Sequence, residues 1–508
     1  MKKVLFLTTT IIALVLGTSY AQNTNTVLGS GYDNFYNWRH NTFTLDGYNG
    51  KHAIYSGGYY NIKKKDINGD CLFMIDAEGR SVTQSSLEHH EDFYEIRAFD
   101  NEEEVIVLYS YFNKKVKKFG LYMNKMSKAT ASSPWDPEEL LAITTEKSDG
   151  RYLYTAVSPD KSKFALLLVG ADRKNNMEGA ILMMFDNNGN LLWENNVNFE
   201  FTNKTFGMMD ILVSNEGEVN CALMSYSKVG NNGRNNDHVH LMTISQDNAT
   251  TIDQSIDFGC VSNGRLLVKK DGSVALAGYY ATTEKECENG TYAIIFNTSA
   301  GDASAVSNTP FPSDYKESAG YFKAYANYVV NQRCHVIPMG IYEFENGTIG
   351  LVGEQHGFVA HQSQNGTYYV LVAKNIMYNA VEDNGVQELK MISKLQSITG
   401  APNMSYQSQK ISFFPFFANN TIYLLYNDNA DNYKGDEGKW FTYNLNHKKA
   451  VLGMRTIAAN GDTELKGLLH ADKTGMYVER VLFMEEDGFI LLNRAKKGES
   501  LSKVNVEF

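Results

Sequence analysis

The sequence predicts an all-β protein, an eight-bladed β-propeller of four-stranded blades, and three observations carry that prediction. A hairpin-like unit recurs eight times along 508 residues, its second apolar run is near-continuous, and a third run with a second tight corner follows most copies. Only 8 prolines and no linker-like tract lie between the units, which argues against tandem sandwiches, with their sets of seven or more strands.

The unit is clearest in "LVKKDGSVALAGYYA" (267–281), where two apolar stretches flank a Lys-Asp-Gly corner. Gly, Asn and Asp tolerate the backbone of tight turns, while Val, Ile, Leu, Phe and Tyr fill the strands. The other copies occupy 41–60, 93–111, 152–171, 210–226, 340–355, 412–428 and 480–494. Second runs such as "VALAG", "IGLVG", "IYLLY" and "FILLN" lack polar alternation, which predicts strands covered on both faces. "CLFMIDAEGRSVTQ" (71–84), "AILMMFDNNGNLLWENNV" (180–197) and "HLMTISQDNATTIDQSI" (240–256) supply third and fourth strands. A lone hairpin is marginal in water, whereas repeated four-strand units pack against one another as propeller blades. If the first or last hairpin is an appendage, the ring has seven blades. The eighth unit has three strands, and an open edge is an aggregation hazard. The segment 24–38, "TNTVLGSGYDNFYNW", is therefore expected to close the last blade.

The chain begins "MKKVLFLTTTIIALVLGTSYAQN". Two lysines, a short Thr-interrupted apolar run and a small-residue end predict a signal peptide over 1–21. A single propeller domain over 22–508 follows, exported to the periplasm, cell surface or exterior. No later apolar run approaches the roughly 20 residues of a membrane helix, so no span is expected after the signal is removed. A formal net charge of −11 argues against nucleic acid, whose backbone is bound by clustered Lys and Arg. Five cysteines are too few and odd in number for a disulfide framework. Cys260, Cys287 and Cys334 fall on one side near the fifth unit, with Cys287–Cys334 the expected bridge, and Cys221 reads as a small core residue.

With its sparse repeats, abundant Asn and Tyr, and stretches such as "LVGEQHG", the chain resembles the secreted β-propeller proteins of Bacteroidota. That set has no agreed activity, so the resemblance implies export and fold and carries no catalytic residues. "DNNGNLLW" (Asp186 to Trp193) also resembles the quinone-propeller tryptophan motif and the sialidase Asp-box. It has Leu192 in place of Thr and occurs once, so it reads as a strand–turn–strand corner.

The connections divide by length. Corners such as "KKDG", "NEG", "DAEG" and "DNNG" belong to one face. The other face takes 57–70, 227–238, 281–291, 356–367 and 429–439, with crossovers over 129–150, 308–338 and 456–478. Long connections on a rigid scaffold are where function concentrates. Helical insertions are expected near 133–143, where Asp136 precedes Pro137, and 313–330, where Tyr315, Ala319, Phe322, Ala326 and Val329 recur at helical spacing.

Just past the apolar second runs stand Tyr226, Tyr279, Glu354, Asn427 and Arg494. As a ring around a central cavity they form a candidate ligand-binding site that stacks on and hydrogen-bonds a sugar or peptide. The alternative is that Glu354 pairs with Arg494 and the tyrosines pack between blades. No catalytic residue is assigned. Glu354 with Asp428 or Asp431 would make a hydrolytic carboxylate pair only if their separation suits. His238 and His240 lack a third zinc ligand; "DINGDC" (66–71) departs from calcium-loop spacing. No metal and no cofactor are predicted. The expected function is a non-enzymatic scaffold binding a protein or glycan of the cell envelope through its long-loop face. A carbohydrate-active enzyme on that face and a subunit of a cell-envelope assembly are the alternatives.

Overall fold

A computed structural model describes residues 40–48, 51–60, 67–68, 70–76 and 81–87, then 93–505 except short connections, the longest being 316–332 and 401–411. Side chains are described from Arg97 onward, apart from those at several strand ends and most beyond Ala471. The signal peptide, the closing segment 24–38 and the insertion 313–330 other than Tyr315 lie outside the described residues.

The described strands form eight sheets in chain order, antiparallel except for one short parallel pair. Sheet 1 holds β1 (His40–Tyr48), β2 (Lys51–Tyr60), β3 (Ile67–Asn68), β4 (Asp70–Asp76) and β5 (Ser81–Leu87). Sheet 2 holds β6 (Phe93–Asp100), β7 (Glu104–Asn113), β8 (Lys118–Ser127) and β9 (Glu138–Thr144). Sheet 3 holds β10 (Arg151–Val157), β11 (Lys163–Asp172), β12 (Met177–Asp186) and β13 (Leu191–Asn198). Sheet 4 holds β14 (Phe206–Val213), β15 (Val219–Gly230), β16 (Gly233–Ile244) and β17 (Ala249–Ser255). Sheet 5 holds β18 (Cys260–Val268), β19 (Val274–Ala281), β20 (Gly290–Asn297) and β21 (Asp302–Pro310).

Sheet 6 is larger, with β22 (Arg333–Glu343), β23 (Ile349–Ser363), β24 (Gly366–Glu382), β25 (Gly385–Val386) and β26 (Lys390–Gly400). Sheet 7 holds β27 (Phe414–Ala418) and β28 (Thr421–Asn429), and its next segment, β29 (Phe441–Thr442), pairs in parallel with β26 of sheet 6. The chain then returns to sheet 7 through β30 (Ala450–Ile457) and β31 (Thr463–His470). Sheet 8 is β32 (Met476–Glu485), β33 (Gly488–Ala495) and β34 (Gly498–Asn505). Each of the eight expected hairpins is the first strand pair of one sheet. First strands of successive sheets lie side by side, as β14, β18 and β22 do. This is the meander of a β-propeller.

Second strands show why the sheets stack. Leu166 and Leu168 of β11 pack on Ile106 and Leu108 of sheet 2. The alternate residues Ala165, Leu167 and Val169 pack on Val219, Cys221 and Leu223 of sheet 4. Period-two geometry sends successive side chains to opposite faces, so a strand covered on both sides must be apolar throughout. All eight residues of β19 are buried. The pattern continues between sheets 4 and 5, 5 and 6, 6 and 7, and 7 and 8. Each fully buried aliphatic contributes about 1.5–3 kcal/mol.

The short corners are interlocked. Asp271 accepts from the Ser273 N–H at 2.9 Å and hydroxyl at 2.6 Å, and Gly272 takes φ +84°, a left-handed backbone that suits glycine. The Lys270 N–H then donates to Glu343 at the next corner (2.8 Å), and Glu345 N–H donates to Asn420 at the one after (2.7 Å). Asp160 N–H reaches Asn215 in the same way (3.1 Å). Asp186 accepts from the Asn188 and Asn190 N–H groups at 2.9 and 2.8 Å, so "DNNGNLLW" is a corner, as its sequence predicts.

Two expectations are corrected. Residues 138–144, most of which fall in the helix expected near 133–143, form β9, because pairing of Leu141 with Leu121 and the Lys118–Glu139 ion pair (3.2 Å) outweigh the helix-start signal of Asp136-Pro137. β9 thereby falls within the expected crossover 129–150, and just after β8 buried Lys128 binds Asp100 at 2.6 Å. The connections 227–238 and 356–367 are largely strand: β15–β16 and β23–β24 continue as paired hairpins to Gly230↔Gly233 and Ser363↔Gly366.

The Ser273 hydroxyl, then Lys269, hold the exposed Asp271 carboxyl down to about 2. Its ordinary value is 3.8, so its contribution is whole above that pH and is lost as pH falls toward 2. Asp271→Asn should therefore lower the melting temperature at pH 6, with the gap to the parent closing by pH 2. In the core, Phe164 stacks on Phe99 and Phe185 at 4.1 and 5.1 Å. Phe164→Ala should cost about 3–5 kcal/mol in urea unfolding.

Candidate functional site

Among the described residues, sheet 6 reaches furthest on the long-connection face. β23 and β24 run to 15 and 17 residues, against 8 in each of β19 and β20. At about 3.3 Å per residue, the β23–β24 hairpin reaches some 20 Å further than its neighbours. A polar cluster sits at its root, between sheets 6 and 7.

Glu354 is its centre, on the face of β23 that looks toward sheet 7, in phase with Val352. Its Oε1 lies 2.5 Å from Lys394 Nζ on β26, and both side chains are fully buried. Its Oε2 accepts from His356 Nε2 and from the Ser412 hydroxyl. Lys394 Nζ also donates to Gln396 Oε1 and stands 5.8 Å from the centre of the Tyr426 ring. Gln396 Nε2 donates to the Asn427 carbonyl, tying β26 to β28. Beyond it, Asp428 accepts from Asn429 N–H and Asn432 Nδ2, each at 2.7 Å. Asn432 Oδ1 in turn accepts from Lys439 N–H at 2.8 Å.

The two carboxyls are tuned oppositely. Burial alone would raise Glu354, but Lys394 and then His356 overcome it and hold the carboxyl below its ordinary value. Burial wins at Asp428, which is raised despite the Asn429 and Asn432 donors. Divergent carboxyls are the raw material of acid–base chemistry, yet here both are buried and aimed into an inter-sheet seam. What the cluster does is fix the root of the hairpin. An apolar patch of Leu371, Ala373, Ile398, Phe441 and Ala450 completes that root.

Of the five predicted residues, the three whose side chains are described, Tyr279, Glu354 and Asn427, do not face a common cavity. All five do lie on the second strand of their sheets: Tyr226 on β15, Tyr279 on β19, Glu354 on β23, Asn427 on β28 and Arg494 on β33. Second-strand side chains face the neighbouring sheets, however, and the three described ones are buried. Tyr279 is fully buried, and a Cβ added at Gly353 of β23 would come within 2.3 Å of its hydroxyl. Glu354 faces sheet 7, while Asn427 is in phase with Tyr423 and Leu425, which face sheet 8. Glu354 pairs with Lys394 and His356. The side chains of Tyr226, Arg494 and Cys334, and all of Cys287, lie outside the described residues, so the expected bridge does too. Cys221 is a buried core thiol, as expected. Among the described residues no group of His, Cys, Asp and Glu is arranged to hold a metal ion, and no helix is long and apolar enough to cross a membrane.

Lys394, Gln396 and Ser412 are not singled out by the sequence motifs. In "KMISKLQSI" (390–398), Lys394 and Gln396 stand in phase with Ile392 and Ile398. A cation on the apolar phase of a strand is the signal that marks a buried partner.

Glu354→Gln leaves Lys394 buried without its full counter-charge, and should cost about 3–5 kcal/mol. Glu354→Leu combined with Lys394→Met should be milder than the single change, read as denaturant midpoints. Tyr279→Phe should leave stability unchanged or higher, because the buried hydroxyl has no hydrogen-bond partner among the described residues.

No family model matches the chain, and no curated protein matches it. Among solved structures, the β-propeller domain of the Trilobed protease from Pyrococcus furiosus is similar over 85% of this chain and 97% of its own, at 8% identity and a TM-score of 0.37. Apocarotenoid oxygenase from Synechocystis is similar over 85% of this chain and 94% of its own, at 8% identity and a TM-score of 0.35. Acylaminoacyl peptidase from Pyrococcus horikoshii covers 75% of this chain and 57% of its own, at 7% identity and a TM-score of 0.30.

Proposed function

We propose that this protein is an exported binding scaffold that captures a protein or glycan of the bacterial envelope on its long-connection face. The observation that carries the reading is the contrast between the two ends of the sheets. At one end, corners of a few residues are bonded to one another from sheet to sheet. At the other, the β15–β16 and β23–β24 hairpins project, and the longer is rooted on a buried ion pair and its own apolar patch. A rigid projection loses little entropy when a partner binds it. The Glu354–Lys394–Asp428 cluster supports a structural role for these charges in place of turnover.

The test shortens the projection. Residues 359–370 are replaced by Asn-Gly, which joins the paired Phe358 and Leu371 through a two-residue turn. Full-length protein with an affinity tag is then used to capture partners from envelope extract and on a glycan array. The parent should retain a specific partner or glycan, and the shortened variant should lose it with an unchanged melting temperature. Equal capture by both would refute the assignment.

A further inference from the structure

A second polar constellation stands at the root of the other projecting hairpin, on sheet 4. Ser225 of β15, His240 of β16 and Asp253 of β17 occupy three adjacent strands, with His240 directly opposite Asp253. The Ser225 Oγ lies 2.8 Å from His240 Nε2, and His240 Nδ1 lies 3.1 Å from Asp253 Oδ1. Asp253 Oδ1 is also 2.9 Å from Nδ1 of His238.

The hydrogen positions follow from chemistry. An ionised carboxylate only accepts, so the His240 tautomer with its proton on Nδ1 is the one that suits the Asp253 oxygen 3.1 Å away, an oxygen already hydrogen-bonded to His238 Nδ1. In neutral imidazole the other nitrogen is then an acceptor, and the Ser225 hydroxyl donates to it. Burial lowers the pKa of His240, which favours that neutral form. The His240 side chain is 7% exposed and Asp253 54%, and Ser225 is half-buried, open enough for a small substrate to reach its hydroxyl. The backbone is irregular at the same point. Pairing jumps from Ser225↔His238 to Tyr226↔Asn236 and then to Lys228↔Asn235, leaving Ser227 and Asp237 outside the register. Bulges of this kind free backbone groups beside reactive side chains, where donors for a developing oxyanion are required.

We propose that Ser225 is an activated nucleophile that accepts the acyl group of small carboxylic esters, with His240 as general base and Asp253 as the positioning residue. Ser225 Oγ bonds to the ester carbonyl carbon as its proton passes to His240 Nε2. The bond to the leaving alcohol breaks, and that oxygen takes the proton from His240, giving an acyl-serine and a free alcohol. Water repeats the sequence in reverse roles and releases the acid. The assignment is independent of the scaffold reading above.

The test treats the full-length protein with a fluorophosphonate probe, followed by intact mass and peptide mapping. One adduct on Ser225 is expected, absent in Ser225→Ala. His240→Gln should slow labelling about a hundredfold or more. Asp253→Asn should slow it with an unchanged melting temperature, and Asp253→Glu should restore part of the rate. Because Asp253 is exposed, that pair decides the matter even if the buried His240 variant fails to fold. No adduct at Ser225, or labelling as fast in Asp253→Asn as in the parent, would overturn the proposal.

Discussion

Burial of each second strand on both faces is the constraint from which the rest of this molecule follows. A strand such as β11 sends Leu166 and Leu168 one way and Leu167 and Val169 the other, so neither face can be polar. The corresponding strands of sheets 4 to 7 repeat the arrangement, linking each seam to the next. Removing one sheet would expose apolar surface on two neighbours, an energetic loss far larger than the hydrogen bonds of any corner.

Polar side chains that enter this layered core must bring partners with them. Glu354 enters with Lys394, His356 and Ser412. Near the axis, Arg265 of β18 reaches Asp210 of β14 at 3.3 Å and the Pro338 carbonyl of β22 at 3.1 Å, binding three first strands together. Such groups are retained at a desolvation cost, and their positions coincide with places where geometry must be defined. Glu354 and His240 stand at the roots of the two hairpins that leave the common strand length. The same solution, a buried histidine on a carboxylate, occurs at both roots with different third members.

Most of the architecture was legible because it depends on residue class. Eight hairpins could be read from apolar runs and Gly/Asn/Asp corners, and each became a sheet. What failed was anything set by direction or by cross-strand company. Tyr279, Glu354 and Asn427 were placed correctly on second strands, but the side of the sheet each faces depends on its phase relative to the apolar run. Asp136-Pro137 ahead of "EELLAI" reads as a helix start, yet Lys118 and Leu121 on the neighbouring strand draw those residues into β9. The Ser225–His240–Asp253 relay joins three strands over 28 residues, and only the register of two hairpins brings it together.

Native-state hydrogen exchange read by peptide mass spectrometry tests the shared-burial account most directly. Amides in the second strands of sheets 3, 5 and 7, within 165–169, 275–279 and 422–426, should exchange with one common opening free energy, because each seam supports the next. Three distinct opening free energies, with one sheet exchanging while its neighbours stay protected, would contradict it.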